Sequence, residues 1–156
     1  FAAGVAPGAR YVFLAESLFD VLGPAERRAV LAHELAHHRR GHVALRVALP
    51  ICLLVPLVAA VEFRVDGALA AGLALALPAA AALFRVVRWT EYDADRWAAD
   101  RAGADALAGA LSELADRRLV LAGPGRHLGV FASHPAIERR VARLGRAPPG
   151  RRPGPR

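Results

Sequence analysis

Two long apolar stretches sit in the middle of the chain, with shorter mixed segments on either side. The first runs from Val43 to Val61, broken only by Arg46, Pro50 and Pro56. The second runs from Gly67 to Phe84 and carries no charge. Roughly 20 apolar residues span a bilayer core, and somewhat fewer suffice. Only Glu62-Phe63-Arg64-Val65-Asp66 separates the two. The pattern therefore predicts a transmembrane hairpin with a tight polar turn. Pro50, Pro56 and Pro78 are tolerable there as kinks. A buried hairpin in a soluble protein is the alternative, because Ala-rich runs are weak membrane signals.

The flanking segments predict short elements. Tyr11-Val12-Phe13-Leu14 is β-prone and reads as one arm of a hairpin whose other arm starts at or before Phe1. Glu16 to Leu22 reads as a short helix with Ser17 as N-cap. Gly23 breaks it. Pro24 and Glu26 then suit the first turn of a helix running to about Gly41. Beyond the hairpin, Thr90 reads as the cap of a new helix carrying Glu91 and Asp95 on one face. Residues 104–121 predict an amphipathic helix with Leu107, Leu111, Leu114 and Leu119 on its apolar side. A last short helix is expected from Ala136 to Leu144. The sum is a mainly α fold with a minor β part. It is one domain over residues 1–145, with the hairpin at about 43–87. The Pro/Gly/Arg tail of residues 146–156 reads as disordered or a linker.

Composition adds three constraints. All 21 basic residues are Arg, and the net charge is +7. The Arg residues are spread along the chain, many beside apolar segments, and no nucleic-acid motif accompanies them, which argues against a nucleic-acid partner. Arg39, Arg40, Arg46, Arg85 and Arg88 lie at one end of the predicted hairpin and only Arg64 at its turn. The positive-inside rule then puts the end away from the turn in the cytoplasm. Cys52 is the only cysteine, so no internal disulfide and no cysteine-based zinc site can form. The chain starts at Phe1 and contains no Met, which reads as a piece of a longer protein.

The candidate chemistry lies in His33-Glu34-Leu35-Ala36-His37. On a helix, residues four apart share a face, so His33 and His37 can aim two imidazoles at one metal ion. Glu34 is offset by one position, where a carboxylate can take a proton from a metal-activated water. Histidine suits zinc, and a zinc hydrolase needs a third protein ligand. Glu91 is the candidate, giving a His2Glu set. Asp95, one turn on, can accept a hydrogen bond from a ligand imidazole and fix its tautomer. His38 and His42 read as polar positions on an Arg-rich helix end, and His127 as an uninvolved loop residue.

These segments resemble peptidase family M48, the membrane zinc metalloproteases typified by HtpX and the Ste24 enzymes. The match is carried by Tyr11 to Leu22, by Ala29 to His37 followed by His42, by Glu91-Tyr92-Asp93-Ala94-Asp95, and by Ser133-His134-Pro135 with Arg140 and Leu144. The resemblance runs from about Phe1 to Leu144 in the family's order. It implies a zincin-like fold around the H-E-x-x-H helix, one Zn2+ per chain held by His33, His37 and Glu91, and Glu34 as general base. It also raises His134 as a partner for the substrate oxyanion, against a helix-capping loop role beside Pro135; Arg140 could pair with a carboxylate near the site, such as Asp95, or be a solvated helix residue. The implied activity is endoproteolysis of protein or peptide substrates by an integral protein of the bacterial cell membrane, with its active site facing the cytoplasm. The M56 family of membrane sensor proteases shares the H-E-x-x-H motif and an acidic third-ligand segment. A non-catalytic zinc-binding membrane scaffold is a further alternative, against which an intact Glu34 argues.

Overall fold

The computed structural model describes residues 1–6, 8–117 and 135–145. Among them the fold is mainly helical, with one small sheet. The elements in order are β1 (Ala2–Ala3), β2 (Tyr11–Val12), α1 (Ser17–Val21), α2 (Pro24–Arg39), α3 (His42–Glu62), α4 (Ala68–Ala102), α5 (Ala104–Asp116) and α6 (Ile137–Leu144).

The sheet is an antiparallel hairpin in which Ala2 faces Val12 and Ala3 faces Tyr11. Phe1 and Phe13 extend it by ring stacking, with centroids 5.0 Å apart. Ser17 is not a cap: it lies inside α1, and Glu16 precedes the helix without a side-chain capping bond.

In α2, Pro24 takes the first turn, where its missing N–H costs nothing. Glu26 accepts a hydrogen bond from the Gly23 backbone N–H at 2.8 Å, which satisfies a donor at the helix entry. Ala29, His33, Ala36 and His37 form the buried stripe. This is the i, i+4, i+7, i+8 pattern of a core-facing helix. The residues filling it are small or polar, while Leu31 and Leu35 stay exposed. Gly41 (φ 72°) joins α2 to α3, and an L side chain there would be strained.

Thr90 does not start a helix. It lies in the interior of α4, a single helix of 35 residues. Its hydroxyl donates back to the Val87 carbonyl at 2.7 Å. The apolar and polar halves of α4 are thus continuous, and the helix ends only at Gly103 (φ 97°). Ala29 of α2, Ala98 of α4, Leu107 and Leu111 of α5 and Leu144 of α6 form the main core. Alanine at the contact lets helix axes approach closely. A second cluster joins Leu22 to Ala110 and Leu114.

The long apolar parts of α3 and α4 pack on each other, and among the described residues their apolar windows are not buried. A Cβ placed on Gly72 would fall 2.5 Å from Leu57 Cδ1, so Leu57 sits directly on the α4 backbone there. None of the apolar 18-residue window of either helix is buried, and Leu54, Leu69 and Leu77 are all more than half exposed. The structure therefore does not show a hairpin buried within a soluble fold. Both helices are long and apolar enough to cross a membrane.

Candidate active site

Three helices deliver the site. The buried stripe of α2 presents His33 and His37, α4 presents Glu91 and Asp95, and α6 presents Arg140. His33 Nε2 and His37 Nε2 stand 3.3 Å apart. Glu91 completes the group with one oxygen toward each histidine: Oε2 lies 3.6 Å from His33 Nε2, and Oε1 lies 3.6 Å from His37 Nε2. The ligand atoms of a tetrahedral zinc with bonds of about 2.0–2.1 Å stand roughly 3.3–3.5 Å from one another. One donor atom from each of the three residues lies within 4.8 Å of the other two, so the group could converge on a single small cation, and all three residues are buried. Among the described residues, this is the group of His and carboxylate side chains arranged to hold a metal ion.

The surroundings fix the donors. His33 Nδ1 faces Asp95 Oδ1 at 3.0 Å, so its N–H donates to the carboxylate and its Nε2 lone pair is left toward the other ligands. Arg140 Nε donates to Asp95 Oδ2 at 2.8 Å, and a second guanidinium nitrogen reaches Oδ1. Arg140 Nη1 also lies 3.5 Å from Glu91. Burial pushes the Arg140 pKa down, but the Asp95 hydrogen bond and charge outweigh it and leave it raised. Burial likewise depresses His33, and the bonds to Asp95 and Glu91 more than offset it, so its pKa is raised. At His37 the Glu91 carboxylate also raises the pKa, but by less than the opposing effects. Burial, then the neighbouring His33 charge, lowers it to about 3, so His37 is a neutral imidazole at physiological pH.

Glu34 follows His33 on α2 and lines a cleft of about 730 Å³ together with His33, His37, Arg46 and Glu91. Leu107, Leu111 and Leu114 of α5 and Ile137 of α6 supply apolar wall. His134 and His127 lie outside the described residues. His38 is not at the site: its Nε2 donates to the Tyr11 carbonyl at 2.9 Å, tying α2 to β2 at the surface.

Two residues acquire a place that the sequence reading did not give them. Arg46, read as a charge interrupting an apolar span, donates to Glu91 Oε1 at 2.6 Å and to Thr90 Oγ1 at 3.0 Å. An ionisable residue inside an apolar segment is itself a signal that a buried partner exists, and that signal was present in the sequence. His42, read as a polar helix-end position, is 1% exposed and contacts His37.

A helix-borne His-Glu-x-x-His completed by a carboxylate from a second helix is a donor set of the kind that zinc hydrolases use, and these residues could hold a metal ion. The chain belongs to peptidase family M48: the family's model matches residues 1–147. That membership supports a metallopeptidase function. No curated protein and no solved structure matches the chain at a significant level.

Proposed function

We propose that the chain is a membrane-embedded, zinc-dependent endopeptidase of the HtpX/Ste24 type. The observation that carries this reading is the buried group of His33, His37 and Glu91, with a donor atom from each within 4.8 Å of the others, beside Glu34 in an open cleft. These three residues would hold one zinc ion. When bound, zinc supplies a lowered pKa for water and polarisation of a carbonyl. Glu34 takes the proton of the attacking water and passes it to the departing amine. Asp95 and Arg140 keep His33 in the tautomer that a metal needs. His134 hydrogen-bonds the substrate oxygen as negative charge develops there. The β1–β2 hairpin borders the zinc helix and offers strand edges to an extended peptide.

α3 and α4 anchor the enzyme in a bilayer. The 21 residues of α3 span about 31 Å at 1.5 Å per residue, close to the hydrocarbon thickness of roughly 30 Å. The arginines at the end of the hairpin away from its turn support an orientation with the active site in the cytoplasm.

The test is cleavage of an unfolded protein by the detergent-purified chain. A strong zinc chelator should abolish cleavage, and added zinc should restore it. Cleavage that continues unchanged in chelator would overturn the zinc mechanism.

A further inference from the structure

His37 is bonded on the side away from the candidate metal ligands. Its Nδ1 lies 3.1 Å from Nδ1 of His42. His42 Nε2 lies 3.1 Å from Asp93 Oδ2. Arg40 grips Asp93 with two donors, Nε to Oδ2 at 2.8 Å and Nη2 to Oδ1 at 3.1 Å. His42 is 1% exposed and Asp93 8%, whereas Arg40 reaches the surface. The αL turn at Gly41 is what brings His42 back beneath His37.

The proton positions along this row follow from the chemistry of its end. A carboxylate gripped by a guanidinium can only accept, so His42 Nε2 must carry its proton. A neutral His42 then has a bare Nδ1. The nitrogen facing it, His37 Nδ1, must therefore be the donor. That leaves the His37 Nε2 lone pair pointing at His33 Nε2 and Glu91. Each bond in the row forces the next.

The geometry points to Arg40, Asp93 and His42 as a positioning relay that holds His37 as the Nδ1–H tautomer, with its Nε2 available to a metal. This inference rests on the zinc reading above. It assigns to the second histidine what Asp95 and Arg140 supply to the first. Partners of this kind are worth 10–100-fold in metal affinity.

The test compares zinc affinity, by chelator competition, in wild type, His42→Leu and His42→Gln, with helix content and the melting temperature of the metal-free proteins alongside. Leucine fills the space without hydrogen bonds. Glutamine can accept from His37 and donate to Asp93. The expected result is roughly 10–100-fold weaker zinc binding in His42→Leu, most of it recovered in His42→Gln. A folded His42→Leu that binds zinc as tightly as wild type overturns the relay. So does a lower melting temperature with unchanged affinity, which is what a packing role alone predicts. If His42→Leu does not fold, nitrogen-15 NMR of the histidines in metal-free wild type decides. Protons on His37 Nδ1 and His42 Nε2 support the relay, and a proton on His37 Nε2 overturns it. Failure of wild type to bind zinc would sink the zinc reading instead, and the NMR result would still judge the proton arrangement.

Discussion

Glu34→Gln is expected to keep its zinc and lose nearly all proteolysis, with kcat/KM falling roughly 10²–10⁴-fold. The side chain lines the cleft beside the three candidate ligands and is not one of the donors in their group. Glutamine has the same shape and can still hydrogen-bond water, but it cannot take a proton. The two quantities to measure are bound zinc and kcat/KM on an unfolded substrate. Retained zinc with collapsed turnover separates a base from a ligand. A variant that cuts at the wild-type rate would remove Glu34 from the mechanism, and one that loses its zinc would make it part of the metal site.

Arg140→Met is expected to produce the largest loss of stability. Arg140 and Asp95 are both buried, with side chains 8% and 5% exposed. Removing one partner of a buried pair costs about 3–5 kcal/mol, because the other charge stays out of water without compensation. Methionine fills the space of the arginine stem but leaves Asp95 with His33 alone and Glu91 with one fewer cation. At about 2–4 °C per kcal/mol for a chain of this size, the melting temperature should fall by roughly 6–20 °C. Arg140→Lys keeps the charge but not the two-pronged grip, and should fall between the two. An Arg140→Met protein that melts with wild type would show the pair to be replaceable by packing.

The parts of the fold legible in the sequence were those governed by local spacing. The histidines of α2 are four residues apart, so helical geometry alone places them together. Leu107, Leu111 and Leu114 follow the same rule in α5 and are buried. The hairpin was legible because length and apolarity suffice to mark it. The length of α4 was misread. A threonine followed by a glutamate resembles a helix start, but no glycine or proline lies between Pro78 and Gly103 to end the helix already running. That absence was the better signal. Contacts between distant residues were the least legible. Arg46 and Glu91 are 45 residues apart, and His42 and Asp93 are 51 apart. Each meets its partner only because α3 and α4 fold back on each other, which no local pattern encodes. The Asp95–Arg140 contact spans 45 residues as well. In the sequence it is one option for Arg140 beside a solvated helix position, because no local pattern links α4 to α6.

The most direct test of the account is the zinc content of the detergent-purified protein, in wild type and in Glu91→Ala. About one zinc per chain is expected in wild type. In the variant, zinc should be lost or bound far more weakly, and chelator-sensitive cleavage should disappear with it. Equal zinc in the two proteins would contradict the ligand set of His33, His37 and Glu91, and a wild type that takes up no zinc after reloading would contradict the metal centre itself.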